Sequence, residues 1–386
     1  MKATVFTGAD RLETAASVLK GRRLGLITNP TGLDREFRST IDLLNRDYTL
    51  VCLFAPEHGV RGDQQAGEKI ESYTDSQTGL PVYSLYGENP HLKPEILEQL
   101  DGIVFDIQDV GARFYTYLYT LAYAMEDGAK AGKAVIVLDR VNPVTGTRVE
   151  GTVLDPAFAS FVGRFPMATR YGLTIGEYAR WLNETRSIGC DLTVIPLEGW
   201  KRSSYFDETD LCWIPPSPNL PTVDSCLCYI GNCLFEGTNL SEGRGTTKPF
   251  EVIGAPWLDA AGMIAQLRDQ YPGGELPGVR LRETWYTPTF SLFAGELCRG
   301  IQFHILDRTA YASFETAVRL LDLIRRNHQE FEFLPPAKEG RPPFIDCLLG
   351  SDAIRAEGFS PDSFLAEQAV KLRAYEAEIA PYRMYE

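Results

Sequence analysis

Apolar and polar positions along the first half of the chain alternate between two textures. Short, continuous apolar runs fall at Leu24–Thr28, Tyr48–Phe54, Val82–Leu85, Gly102–Ile107, Ala134–Leu138 and Leu192–Pro196. Between them lie segments with helical spacing: Ser39–Asn45, Pro94–Leu100, Tyr115–Ala131 and Leu173–Asn183. Pro94 suits a first helical turn, and Thr174 followed by Glu177 has the spacing of a capping box. Apolar runs without alternation, separated by helices, predict parallel strands covered on both faces. The pattern predicts a doubly wound parallel α/β sheet.

The texture changes after the proline-rich 213-WIPPSPNLPT-222 and the loop 236-EGTNLSEGRGTTKPFE-251. Helical segments at Leu258–Gln270 and Phe314–Arg326 flank a strand at Ile301–Leu306, which predicts a second, smaller α+β domain. The boundary is expected near residue 250, giving domains 1–250 and 251–386. No internal repeat is present.

Composition narrows the functions. A net charge of −14 disfavours a general nucleic-acid binder, which needs basic surface against phosphates. No apolar stretch approaches the roughly 18 residues of a membrane span. The first residues, MKATVFTGADRLETAASVLK, lack the apolar core of a signal peptide, so the chain is expected in the cytoplasm unless a leader has been removed. Eight scattered cysteines fit buried free thiols in a reducing compartment. Cys226, Cys228 and Cys233 cluster, but not at zinc-site spacing. No G-x-G-x-x-G follows the first strand. The nearest approach to a phosphate loop, Gly128–Lys133, falls at a helix end.

Chemistry collects after the strands. Thr28, Asn29 and Pro30 follow the first. Glu57, His58, Arg61 and Asp63 follow the second. Asp106, Gln108, Asp109 and Arg113 sit at or after GIVFDI. Asp139, Arg140 and Asn142 follow AVIVL. In a parallel sheet these carboxyl ends share one edge, where ligands bind. Any one such residue can be a cap or turn former. Glu-His and Gln-Asp-x-x-x-Arg exceed what capping requires, and they predict a cleft there. There is no G-x-S-x-G for a serine nucleophile. The four histidines show no metal-ligand spacing, so no metal or cofactor is expected. Paired carboxylates can hydrolyse a glycosidic bond without either. The aromatic run 114-FYTYLYTLAY-123 suits core packing of a helix first, and could also offer flat rings to a sugar.

The segments PEHGVRGD (56–63), FDIQDVGARFYTYLYTL (105–121), VLDRVNP (137–143), FVGRFPMATRYGLTIGEYA (161–179), WIPPSPNLPT (213–222), FEGTNLSEGRGTTKPFEVIGAPW (235–257) and GELCRGIQFHILDR (295–308) resemble the NamZ-type exo-β-N-acetylmuramidases, glycoside hydrolase family 171. The resemblance implies a Rossmann-like domain, a smaller auxiliary domain and a cleft between them. It implies release of N-acetylmuramic acid (MurNAc) from the non-reducing end of peptidoglycan-derived disaccharides or muropeptides such as MurNAc-GlcNAc. It points to Glu57 as the catalytic acid, with His58 orienting it. The second carboxylate is expected among Asp106, Asp109, Glu236 and Glu242, Asp106 and Glu242 foremost, unless the substrate's acetamido group replaces it. A lactyl carboxylate calls for an arginine clamp from Arg61, Arg113 or Arg244. Asn29, Gln108, Tyr115, Asn142 and Asn219 complete the expected binding set. The rival expectations are a metal-assisted amidase or deacetylase, and a non-catalytic muropeptide-binding protein.

Overall fold

The computed structural model describes residues 2–56, 59–62, 72–85 and 90–386. Along the first part of the chain run β1 (Arg23–Thr28), α2 (Thr40–Asp47, after a short α1 at Ala16–Leu19), β2 (Thr49–Ala55), β3 (Tyr73–Thr74) and β4 (Pro81–Ser84). Then come α3 (Pro94–Leu97), β5 (Gly102–Asp106), α4 (Tyr117–Ala131) and β6 (Ala134–Leu138). The ribbon β7 (Glu150–Val153) and β8 (Ala168–Arg170) precedes α5 (Ile175–Thr185) and β9 (Leu192–Ile195). Among the described residues seven strands form one sheet in the order β3-β4-β2-β1-β5-β6-β9, parallel except for the edge strand β3. The sheet turns back between β1 and β5, its topological switch point.

The strands read as unbroken apolar runs because both faces are covered. Leu24, Leu26, Val104, Ile136 and Leu138 pack into one core with Ile41 and Leu44 of α2. The alternate residues Ile27, Ile103, Phe105, Val135 and Val137 pack into another with α4 and α5. The Thr174–Glu177 capping box forms as the sequence predicts. Gly132 ends α4 in the left-handed region, its amide and that of Lys133 closing on the last carbonyls. The phosphate-loop look of Gly128–Lys133 is therefore a helix C-cap.

The second unit begins with α6 (Val223–Asn232) and contains β10 (Val252–Ala255), α7 (Ala260–Asp269), β11 (Val279–Tyr286), β12 (Cys298–Ile305), α8 (Ser313–Asn327) and α9 (Phe344–Leu349). Its three strands form an antiparallel sheet, β10-β12-β11. α6 shares a core with α8 and this sheet, and Cys226, Cys228 and Cys233 are buried there as free thiols. The last helix, α10 (Pro361–Ile379), returns to the first unit: Tyr375 and Ile379 enter its core, and the Tyr375 hydroxyl donates to the Tyr171 carbonyl at 3.1 Å. Neither this return nor the β7–β8 ribbon was expected from sequence. Among the described residues no helix is long and apolar enough to cross a membrane.

Candidate active site

A cleft of about 480 Å³ opens between the units, within the range of small-ligand sites. Pro56 and Leu85, just beyond β2 and β4, line it together with residues 114–117, Tyr119 and Thr120 around the start of α4. The turn Ser160–Val162 and the segment Ser217–Leu220 contribute two margins. Tyr229, Cys233, Glu236, Arg244 and Phe250, with Phe344 and Leu348 of α9, complete the lining. The site is thus built from both units.

Aromatic rings form much of the wall. Tyr115 meets Tyr117 edge-on at 4.8 Å, Phe114 meets Tyr229 at 5.9 Å, and Tyr229 meets Phe250 at 4.7 Å. Tyr119 is fixed by donating its hydroxyl to the Arg113 carbonyl at 2.6 Å. Phe250 adopts φ 62°, the left-handed region that a bulky side chain rarely occupies. Its amide donates to the Glu242 carbonyl and its carbonyl accepts from Asn232 Nδ2, both at 2.7 Å. The ring so placed lies beneath the Arg244 guanidinium, 4.9 Å from centroid to Cζ.

Arg244 bridges two carboxylates. Nη2 lies 2.9 Å from Glu236 Oε1 and Nη1 lies 2.7 Å from Glu242 Oε1. Glu236 lines the cleft; Glu242 sits behind Arg244, almost wholly buried. Burial pushes the Glu236 carboxyl above its ordinary range, Arg244 opposes this, and Glu242 adds to it. Although burial works against it, Glu236 and Glu242 together hold the Arg244 guanidinium above its ordinary value.

Of the residues expected from sequence, Tyr115, Asn219, Glu236 and Arg244 come together in this cleft. Glu57, His58 and Asp63 lie outside the described residues. Pro56, immediately before Glu57, lines the cleft, and the Gly59 amide donates to the Pro56 carbonyl at 3.4 Å.

The remaining expectations need correction. The carboxyl ends of β1, β5 and β6 share an edge, but their polar residues seal it. Asp106 is fully buried and ion-paired with Arg140 at 2.6 Å. Asn29 accepts from the Thr31 amide and hydroxyl. Gln108 donates to the Asp109 and Val141 carbonyls, and Asn142 to that of Leu173. Asp109 is buried, accepts from the Tyr171 hydroxyl and the Gly111 amide, and is pushed up to about 7 by burial. What stays open at the switch point is a pocket of about 70 Å³, too small for a sugar.

Two expected clamp arginines are also engaged elsewhere. Arg61 holds Asp75 through Nε at 2.7 Å and Nη2 at 3.0 Å, and reaches Asp42 as well. Arg113 is fully buried, its Nη2 donating to the Leu348 carbonyl at 2.8 Å, and burial pulls it down to about 10. Glu242 supports Arg244 rather than lining the cleft. Sequence reasoning missed Phe161, Tyr229, Phe250 and Phe344. As isolated apolar residues they carry the same signal as core positions.

Family models described as exo-β-N-acetylmuramidase NamZ, N-terminal and C-terminal, match residues 24–224 and 227–385. The chain belongs to the NamZ family. The two matches meet within α6. The chain is 44% identical over 391 residues to the peptidoglycan β-N-acetylmuramidase NamZ of Bacillus subtilis, covering 100% of this chain and 92% of that one. Two crystal structures of DUF1343 family proteins from Bacteroides fragilis share the fold, each match covering 99% of both chains. One has a TM-score of 0.88 at 34% identity, the other 0.77 at 29%. NamZ membership makes this chain a glycoside hydrolase.

Proposed function

We propose that this chain is an exo-acting muramidase that releases MurNAc from the non-reducing end of peptidoglycan fragments, with Glu57 as the general acid. The observation that carries the reading is the inter-unit cleft, whose lining brings together Pro56, directly before Glu57, and the pair Glu236 and Arg244. The kinship with the Bacillus subtilis enzyme supplies the substrate class.

In this reading Glu57 protonates the glycosidic oxygen as the bond to the departing sugar breaks; water supplies the hydroxyl that ends on the anomeric carbon, and its released proton restores the acid. Glu236 is the second carboxylate, holding negative charge near the anomeric carbon as positive charge develops there. Arg244 keeps Glu236 in place. Its bonds to Glu236 and Glu242 use only part of its N–H fork, and the remaining donors take the lactyl carboxylate of MurNAc. Tyr115 and Asn219 bind the polar groups of the sugar. Eight free cysteines support a reducing compartment for the reaction.

The test is incubation with MurNAc-GlcNAc and analysis of the products. MurNAc and GlcNAc should appear in equal amounts, with or without EDTA. Release of acetate or a peptide, loss of turnover on chelation, or binding without turnover would each overturn the reading.

A further inference from the structure

Phe161 is 69% exposed, yet it is not loose. It sits in a tight turn closed by Ser160 N donating to the Gly163 carbonyl at 2.7 Å and Gly163 N donating back to Ser160 at 3.2 Å. The turn rests on the buried Arg113, because a Cβ at Gly163 would come within 2.6 Å of Nη1. The Phe161 ring lies parallel to that of Phe344, with an interplanar angle of 4° and centroids 5.9 Å apart. Phe344 is the first residue of α9, so the pair ties the Ser160–Val162 turn to α9 along the cleft lining. With Phe344 against one face, the exposure of Phe161 belongs to its edge and opposite face.

This is an ordered, flat, apolar surface on the exposed rim of the cleft. The inner wall carries the charged groups: the Glu236 side chain is 18% exposed and that of Arg244 28%. An exo-enzyme seats the terminal sugar inside, and the next sugar leaves through the mouth. A hexopyranose ring has a face of C–H groups that a fixed aromatic ring can cover without any hydrogen bond, at little cost in side-chain freedom. Resting on the functional reading above, we infer that Phe161, backed by Phe344, is the stacking platform for the aglycone sugar, the residue on the reducing side of the cleaved bond.

The experiment compares the full-length wild-type chain with Phe161→Ala and Phe161→Trp, their thermal unfolding checked first. Phe161→Ala should raise KM for MurNAc-GlcNAc by roughly three- to tenfold with little change in kcat. Inhibition by added GlcNAc should weaken by a similar factor, and inhibition by MurNAc should not change. Phe161→Trp, which keeps a flat ring, should restore both. A wild-type enzyme that turns over the disaccharide while Phe161→Ala matches it overturns the platform alone. Weakened MurNAc inhibition with unchanged GlcNAc inhibition moves Phe161 out of the aglycone side and overturns the assignment. Absence of wild-type turnover overturns the functional reading and the aglycone assignment with it.

Discussion

Arg140 grips both carboxylate oxygens of Asp106, with Nε 2.6 Å from Oδ1 and Nη2 2.8 Å from Oδ2. Thr40 adds its hydroxyl to Oδ2 at 2.5 Å, and Arg140 Nη2 also reaches the Leu33 carbonyl at 3.0 Å. The group that looked catalytic in the sequence therefore ties the tip of β5 to the residues after β6 and to α2. Removing one partner of such a pair strands the other charge in the interior. Asp106→Ala should lower unfolding stability by about 3–5 kcal/mol, read from a denaturant midpoint. Activity per folded molecule should stay within a few-fold of wild type. A variant of normal stability with activity lost would return Asp106 to the chemistry.

The acid itself is the plainest target. Glu57→Gln should leave thermal unfolding unchanged and reduce turnover of a MurNAc glycoside by on the order of 10²-fold or more. Retention of a tenth of the activity would take Glu57 out of that role.

Around Arg244 the two carboxylates should separate cleanly. Glu236→Gln, inside the cleft, should cut kcat by about 10²-fold with a modest change in KM. Glu242→Gln should act indirectly, through a loosened Arg244, and cost less. Arg244→Lys loses the planar fork and should narrow the preference for MurNAc over GlcNAc glycosides. Equal effects of the two glutamine variants on kcat would remove the distinction between a cleft residue and its support.

Asp109 sets a pH dependence of stability with a defined sign. Burial raises its carboxyl to about 7 in the folded chain, whereas an unfolded aspartate titrates near ~3.9. Between those values the unfolded chain holds fewer protons than the folded one, so the stabilisation present below about pH 4 is lost as pH rises through 7. Asp139, likewise pushed up to about 7 by burial, contributes with the same sign. The measurement is therefore a difference: Tm of the wild type should fall more steeply from pH 5 to 8 than Tm of Asp109→Asn. Parallel curves would show that Asp109 is ionised throughout.

The sequence by itself determined the layered α/β sheet, because strands buried on both faces must be apolar at every position, and that pattern is local. It also determined the helix ends that carry Thr174–Glu177 and Gly132, whose partners lie within a turn. The motifs around Glu57, Glu236 and Arg244 identified the family without any three-dimensional information. Only the tertiary structure decided which polar residues face the cleft and which close the sheet edge. Asp106 and Arg140 are 34 positions apart, and Arg113 reaches a carbonyl 235 positions away. The return of α10 to the first core and the meeting of Phe161 with Phe344 are equally non-local. Periodicity reports the environment a residue needs; the partner that supplies it is chosen by how the whole chain packs.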